Sequence, residues 1–333
     1  MALHAVENIG DAFKTTRGFL LPFDPRQWLK LAVVVFFIGG GLSLPTTQFD
    51  TSGMTAPNGE FDVDIPFEMP VDMLALIGVI VAVAVLLGIL FAVIGAIMEF
   101  VFIESLRNEA VSIRAYWRSR WRQGLRLFGF RVAIGLPVLL LFGGWVVLVL
   151  APLFTGIQTP SASIAVFLLG IPVLFLAGLL YGLVSGFTTV FVVPLMIQAD
   201  SGVLAGWRRL WPSIKRDWRQ YLVYAILAFI LTFAVGLLAS LLVGLVAMVL
   251  LIPLAIVAGI VFFTISFSSA IGIAIIAVGG MLFVLSMVVI WALVQVPVVA
   301  YLRYYALLVL GDIEGDFDII PDQRQRIRPV ETE

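Results

Sequence analysis

Glu99 is the one ionisable residue of this chain expected at membrane depth, and Gln295 is the next polar group at comparable depth. A charge placed there is a candidate for proton or ion handling. Two readings of Glu99 stand side by side. With Glu104 a turn further on, it is expected at the interface, paired with an Arg of a neighbouring amphipathic helix. Alternatively, Glu99 and Gln295 line a transport path. A charged substrate is disfavoured, because almost nothing inside the bilayer could compensate it.

Other chemistry has little to work with. The chain has no Cys, and its single His is His4, so thiolate sites, haem ligation, zinc and Ser-His catalysis lack a ligand or base. No cofactor or metal is expected. Asp62 and Asp64 in the acidic segment 45–72 could hold Ca²⁺ or Mg²⁺, but without the glycine and spacing of an EF-hand. Solvation of an outer face is the plainer role of that segment. An enzyme is therefore not expected.

The elements that must position these residues follow from composition. Of 333 residues, 62% are hydrophobic and 12% charged, against about 45–50% and about 25% in ordinary globular domains. So few charges cannot cover a soluble protein of this size, and lipid must be the solvent. The expected fold is an all-α, polytopic membrane helical bundle. Spans of about 20 apolar residues fall near 31–44, 73–98, 132–151, 164–196, 221–251 and 271–303. Residues 253–264 either extend the fifth helix or lie at the outer interface. A seven-span reading would fold 221–264 as two helices, though no polar turn divides that stretch.

The 20 Lys and Arg, of which Lys14, Lys30 and Lys215 are the lysines, fall only within 14–30, 107–131, 208–219 and 303–328. With six spans these segments share one side, which predicts a cell-membrane protein with both termini cytoplasmic. Glu7 and Asp11 ahead of the first apolar run, with no small-residue cleavage site after it, predict an uncleaved anchor. The net charge of −1 gives no pull towards nucleic acid.

Arg-Gln-x-Leu occurs at Arg26-Gln27-Trp28-Leu29, Arg122-Gln123-Gly124-Leu125 and Arg219-Gln220-Tyr221-Leu222. Each copy stands at or just ahead of an odd-numbered span. The implied unit is an amphipathic helix followed by a transmembrane hairpin, repeated three times as parallel repeats over about 5–104, 105–198 and 199–310. One integral membrane domain over 1–310 would then carry a charged, disordered cytoplasmic tail over 311–333.

Val203, Leu204, Trp207, Leu210, Trp211 and Ile214 recur on one helical face, with Arg208, Arg209, Lys215 and Arg216 elsewhere. Trp117, Trp121, Leu125 and Phe128 form a second stripe, beside Arg114, Arg118, Arg120, Arg122 and Arg126. In the first unit Val6, Ile9, Phe13 and Leu20 oppose Glu7, Asp11, Lys14 and Arg17. Basic helices with Trp on the apolar face suit the headgroup boundary. They either orient the protein or form a collar that binds anionic lipid headgroups, with Trp117, Arg118, Trp121, Arg122, Trp207, Arg208, Arg209, Trp211 and Arg216 as its residues.

Small-residue ridges at Gly178, Gly182 and Gly186, and at Gly236, Ser240 and Gly244, would let helix backbones approach closely. Packing of spans four and five on each other is expected in preference to a dimer. Pro194 and Pro297 are expected to kink spans four and six.

With these repeated units, and with its run from Met1 to Gly41 and acidic loop, the chain resembles a family of uncharacterised haloarchaeal multi-pass membrane proteins. Its Arg-rich, Lys-poor, Cys-free composition agrees. Gly206-Trp207-Arg208-Arg209 leading into a hairpin resembles, more distantly, the membrane domain of some glycerophosphodiester phosphodiesterases. Their catalytic domain has no counterpart here, so hydrolysis is not implied. The leading expectation is a non-enzymatic membrane scaffold or lipid-organising partner. The alternative is a transporter or channel for a lipid-like or apolar substrate.

Overall fold

The computed structural model describes residues 4–39, 71–155, 160–264 and 269–328, and within them the fold is built from helices. They are α1 (His4–Leu20), α2 (Pro25–Ile38), α3 (Val71–Arg107), α4 (Ile113–Thr155), α5 (Pro160–Phe187), α6 (Val193–Ala199), α7 (Val203–Arg216), α8 (Trp218–Thr264), α9 (Ala270–Ile313) and α10 (Pro321–Ile327). A π-helical turn, Thr188–Val192, joins α5 to α6, and a 3-10 turn, Gly315–Phe317, follows α9.

Local chemistry sets several of these ends. Asp24 caps α2 by accepting from the Arg26 N–H at 3.0 Å, with Pro25 in the first turn. Ser269 caps α9 through the Gly272 N–H at 3.0 Å. Pro194 has no N–H to give the preceding turn. Just ahead of it the ladder widens, and the Val193 N–H reaches Thr188 O five residues back.

Five helices among the described residues are long and apolar enough to cross a membrane, within α3, α4, α5–α6, α8 and α9. The chain is thus a multi-pass membrane protein. The expected first span begins in α2, and the rest of it lies outside the described residues. So do Asp62, Asp64 and nearly all of the acidic loop. Residues 253–264 continue α8 without a break through Pro253. At 1.5 Å per residue its 47 residues reach about 70 Å, against about 30 Å of hydrocarbon. The helix therefore extends beyond the bilayer core.

Packing runs from α5 to α4, α3, α2, α9 and α8, leaving α5 and α8 at the two ends of the row. Burial is concentrated at one end. Phe100–Ile103 of α3, Phe191–Val193, Leu195 and Met196 around the π turn, and Tyr304, Tyr305, Leu308 and Val309 of α9 are almost fully enclosed. Beyond this compact head, side chains such as Leu86, Leu140, Leu169, Leu245 and Met281 lie exposed. That is stable only if hydrocarbon surrounds them.

α1 lies across this head. The Ala5 carbonyl accepts from Tyr305 OH at 2.9 Å, while the Phe19 ring sits 6.0 Å from that of Tyr304. Ala5 and Phe19 are about 21 Å apart along α1, yet their partners are consecutive residues, so the two helices must cross.

Two expectations are corrected here. The segment after Gly311 is ordered to Arg328, with Phe317, Ile319, Ile320 and Gln323 buried. Its alternating apolar residues close the head, which a solvated tail could not do. The small-residue ridges do not join spans four and five. A Cβ at Gly178, Gly182, Gly186, Gly236 or Gly244 would meet nothing within 4 Å, and Ser240 is exposed. The close crossings are elsewhere. A Cβ on Gly124 would come within 2.5 Å of Ile97, and one on Gly206 within 2.6 Å of Val192. Close approaches form where one helix meets another, at Gly124 and Gly206 in the head and at Gly170 against Trp145 beyond it, whereas the ridge glycines face open space.

Candidate functional site

The head is tied by tiers of ion pairs. In the first, buried Glu99 of α3 accepts from Arg303 of α9 at 2.6 Å and from Arg131 of α4 at 3.3 Å. Arg131 also donates to Thr189 Oγ1 at 2.8 Å, and Arg303 to the Thr189 carbonyl at 3.2 Å. The π turn thus supplies both a hydroxyl and a carbonyl to the two guanidiniums around one carboxylate. Glu99 is thus paired, but with Arg131 and Arg303, neither of which is among the arginines flanking the Trp stripe of the second unit.

In the next tier Arg120 donates to Glu104 at 2.7 and 3.0 Å and to Asp200 at 3.2 Å. Gln123 of the second Arg-Gln-x-Leu copy donates to Asp200 at 2.9 Å and to the Met196 carbonyl at 3.1 Å. Asp200 ends α6 in the left-handed region, at φ 46°. An acidic side chain tolerates that conformation better than most.

A third tier fastens the C-terminal segment over α1. Asp312 accepts from Asn8 at 2.7 Å, from Arg328 at 3.2 Å and from Arg324. Arg328 also reaches Asp11 at 2.7 Å and Asn8 at 2.9 Å. Burial lowers the Arg324 guanidinium to about 10, with Arg328 adding to the effect and Asp11 opposing it.

The collar residues divide into two groups. Arg216 is held by Glu314 at 2.5 Å and Asp217 at 2.9 Å, and Arg209 by the Asp316 carbonyl at 3.3 Å and the Phe317 ring. Arg118, Arg122 and Arg208 are exposed and have no carboxylate partner among the described residues. Arg122, Lys215 and Arg219 each stand over an exposed Trp, namely Trp121, Trp211 and Trp218, at 5.5, 5.5 and 5.7 Å. Such pairs present an apolar plate and a cation to the same boundary.

The two Trp stripes do not simply face the core. On α7 it is Val203, Gly206, Leu210 and Ser213 that turn inward, while Leu204 and Trp211 point out. Trp207 is half-buried and donates to Thr188 Oγ1 at 3.0 Å. On α4 Gln123, Gly124 and Leu127 are enclosed, Trp117 is half-buried and Trp121 is exposed. An apolar cleft of about 320 Å³ between α5, α7 and α8 is lined by Phe187, Trp207, Trp211 and Tyr221. A second depression of about 400 Å³ on α7 includes Arg208.

The transport candidates are not brought together. Gln295 lies eight residues, about 12 Å, along α9 from Arg303, half-buried and outside the ion-pair tiers. Glu99 is enclosed by its two guanidiniums. Sequence reasoning missed Arg131, Arg303, Thr189 and Asp200. The available signal was that Arg131 and Arg303 are the charges closest to the apolar runs of their spans, level with Glu99.

No curated protein and no solved structure matches the chain. Residues 3–320 match the model of a family of unknown function, DUF7544, and the chain belongs to that family.

Proposed function

We propose that this protein is a non-enzymatic membrane scaffold or lipid-organising partner whose charged head engages anionic headgroups at the cytoplasmic leaflet. The single observation that carries the reading is the division of the cations. Those inside the head are neutralised by carboxylates, whereas Arg118, Arg122 and Arg208 stand exposed on Trp-bearing helices without one among the described residues. A free guanidinium beside an exposed indole is matched to a phosphate at the headgroup boundary. The clustering of every Lys and Arg beside the head supports a cytoplasmic orientation with six spans. The three Arg-Gln-x-Leu copies support a threefold arrangement of amphipathic helix and hairpin.

The test is lipid retention. Protein purified in mild detergent from membranes containing phosphatidylglycerol and phosphatidylcholine is expected to carry the anionic lipid in excess. Each cation near an anionic surface contributes on the order of 1 kcal/mol, so replacing Arg118, Arg122 and Arg208 together by Gln should abolish that excess. Unchanged retention would sink the collar. Saturable flux of a lipid or apolar solute across protein-containing liposomes would replace this reading by a transporter.

A further inference from the structure

A groove lies beneath α1, where it crosses α8 and α9. It has a volume of about 920 Å³. Ile9, Phe13 and Leu20 of α1 form its roof, and Leu238 and Leu242 of α8 with Val294 and Val298 of α9 form its walls. The α8 and α9 walls belong to helices long and apolar enough to cross the membrane, so the groove runs from the head into the apolar zone.

Its polar atoms are turned into the protein. Thr16 Oγ1 donates to the Ala12 carbonyl at 2.7 Å, Trp28 Nε1 to Leu20 O at 3.3 Å and Tyr301 OH to Ile9 O at 3.4 Å. Arg17 is different. It lines the groove, is exposed, and its guanidinium has no ion-pair or hydrogen-bond partner among the described residues. Apolar walls with one uncompensated cation match a molecule that has a hydrocarbon tail and a negative head. They do not match a polar metabolite, whose groups would find no partners on these walls.

We propose that this groove binds one anionic membrane phospholipid, its hydrocarbon chain between α8 and α9 under α1 and its phosphate on Arg17. The site rests on the lipid-organising reading above and adds to it a specific bound lipid, distinct from the collar.

The groove can be filled without disturbing the helix that roofs it. Gly10 lines it, and a Cβ there meets nothing within 4 Å. Gly18 is equally open and equally exposed but lies outside the groove lining. The full chain would be reconstituted in phosphatidylcholine nanodiscs with trace phosphatidylglycerol or phosphatidylcholine carrying a photoactivatable tail, and adducts mapped by peptide mass spectrometry. The phosphatidylglycerol probe is expected to label 235–242 and 294–301 well above the equally apolar 271–290. Gly10→Phe, and the smaller Gly10→Leu, should remove that excess while Gly18→Phe leaves it. Arg17→Gln should lower it about fivefold, the effect of one cation at an anionic headgroup.

Even labelling along α8 and α9, an excess that survives both Gly10 variants, or equal labelling by the two probes would overturn the proposal. Lipid retention measured on the same samples separates the two ideas. Retention that depends on Arg118, Arg122 and Arg208 without groove labelling overturns this site alone. Loss of both overturns the lipid-organising reading as well.

Discussion

Arg303 Nη2 donates to Glu99 Oε2 at 2.6 Å, joining α3 to α9 across 204 residues of sequence. Both side chains are nearly enclosed, at 10% and 3% exposure. In such surroundings neither charge is tolerated alone. Arg131, at 25% exposure, completes the contact from α4. The carboxylate therefore works as a fastener of three helices, in a position where the sequence also allowed a relay.

Removing Glu99 should leave two guanidiniums without their shared counter-charge. Glu99→Leu is expected to destabilise the protein by about 3–5 kcal/mol, read as the shift in a denaturant or thermal unfolding transition in detergent. Combining it with Arg303→Met should recover much of that loss. A single variant as stable as the parent would show that the pair contributes little to the head.

Glycines should sort by the space around them. Gly124→Ala and Gly206→Ala force a methyl against Ile97 and Val192, at an expected cost of about 1–3 kcal/mol from overpacking. Gly178→Ala and Gly236→Ala enter open space and should be neutral or stabilising by up to about 1 kcal/mol. The reverse order in thermal unfolding would mean that the small-residue ridges pack after all, against each other or against a second copy.

Asp312 gathers Asn8, Arg324 and Arg328, so Asp312→Ala should loosen α1 and the C-terminal segment together. The loss expected from a buried, multiply paired carboxylate is about 3 kcal/mol. Arg328 is itself 37% exposed, and Arg328→Gln should cost only about 1 kcal/mol after solvent screening. Hydrogen exchange would read both, as faster exchange of amides in α1 and α10 while those of residues 100–106 stay protected. Uniform acceleration throughout the head would contradict a local fastening.

Two arginines of α7 should behave in opposite ways. Arg208 has no carboxylate partner among the described residues, whereas Arg216 is held by Glu314 and Asp217. Arg208→Gln is expected to lower retention of phosphatidylglycerol about fivefold without moving the unfolding transition. Arg216→Gln should leave retention unchanged and act, if at all, on the contact of α7 with the end of α9. Equal effects on retention would mean that pairing does not decide which cations meet lipid.

The residues alone determined that lipid is the solvent, that helices carry the fold, and that the cations cluster in four segments. Those facts follow from composition and run length, because a bilayer core admits few charges and satisfies no backbone polar groups. Local patterns also marked α7 as amphipathic and Glu99 as a residue in need of a partner. Which partner it takes was not legible. Arg131 lies 32 residues away and Arg303 lies 204 away, and no local periodicity links them. The same holds for the packing glycines: Gly178, Gly182 and Gly186 form the visible motif, yet Gly124 and Gly206 stand where helices meet. The order of the segment to Arg328, and the groove that α1 closes over α8 and α9, likewise depend on contacts between distant parts of the chain. Composition fixes the solvent that each segment prefers; only the convergence of helices in the head decides which charges are neutralised and which remain free to meet a lipid.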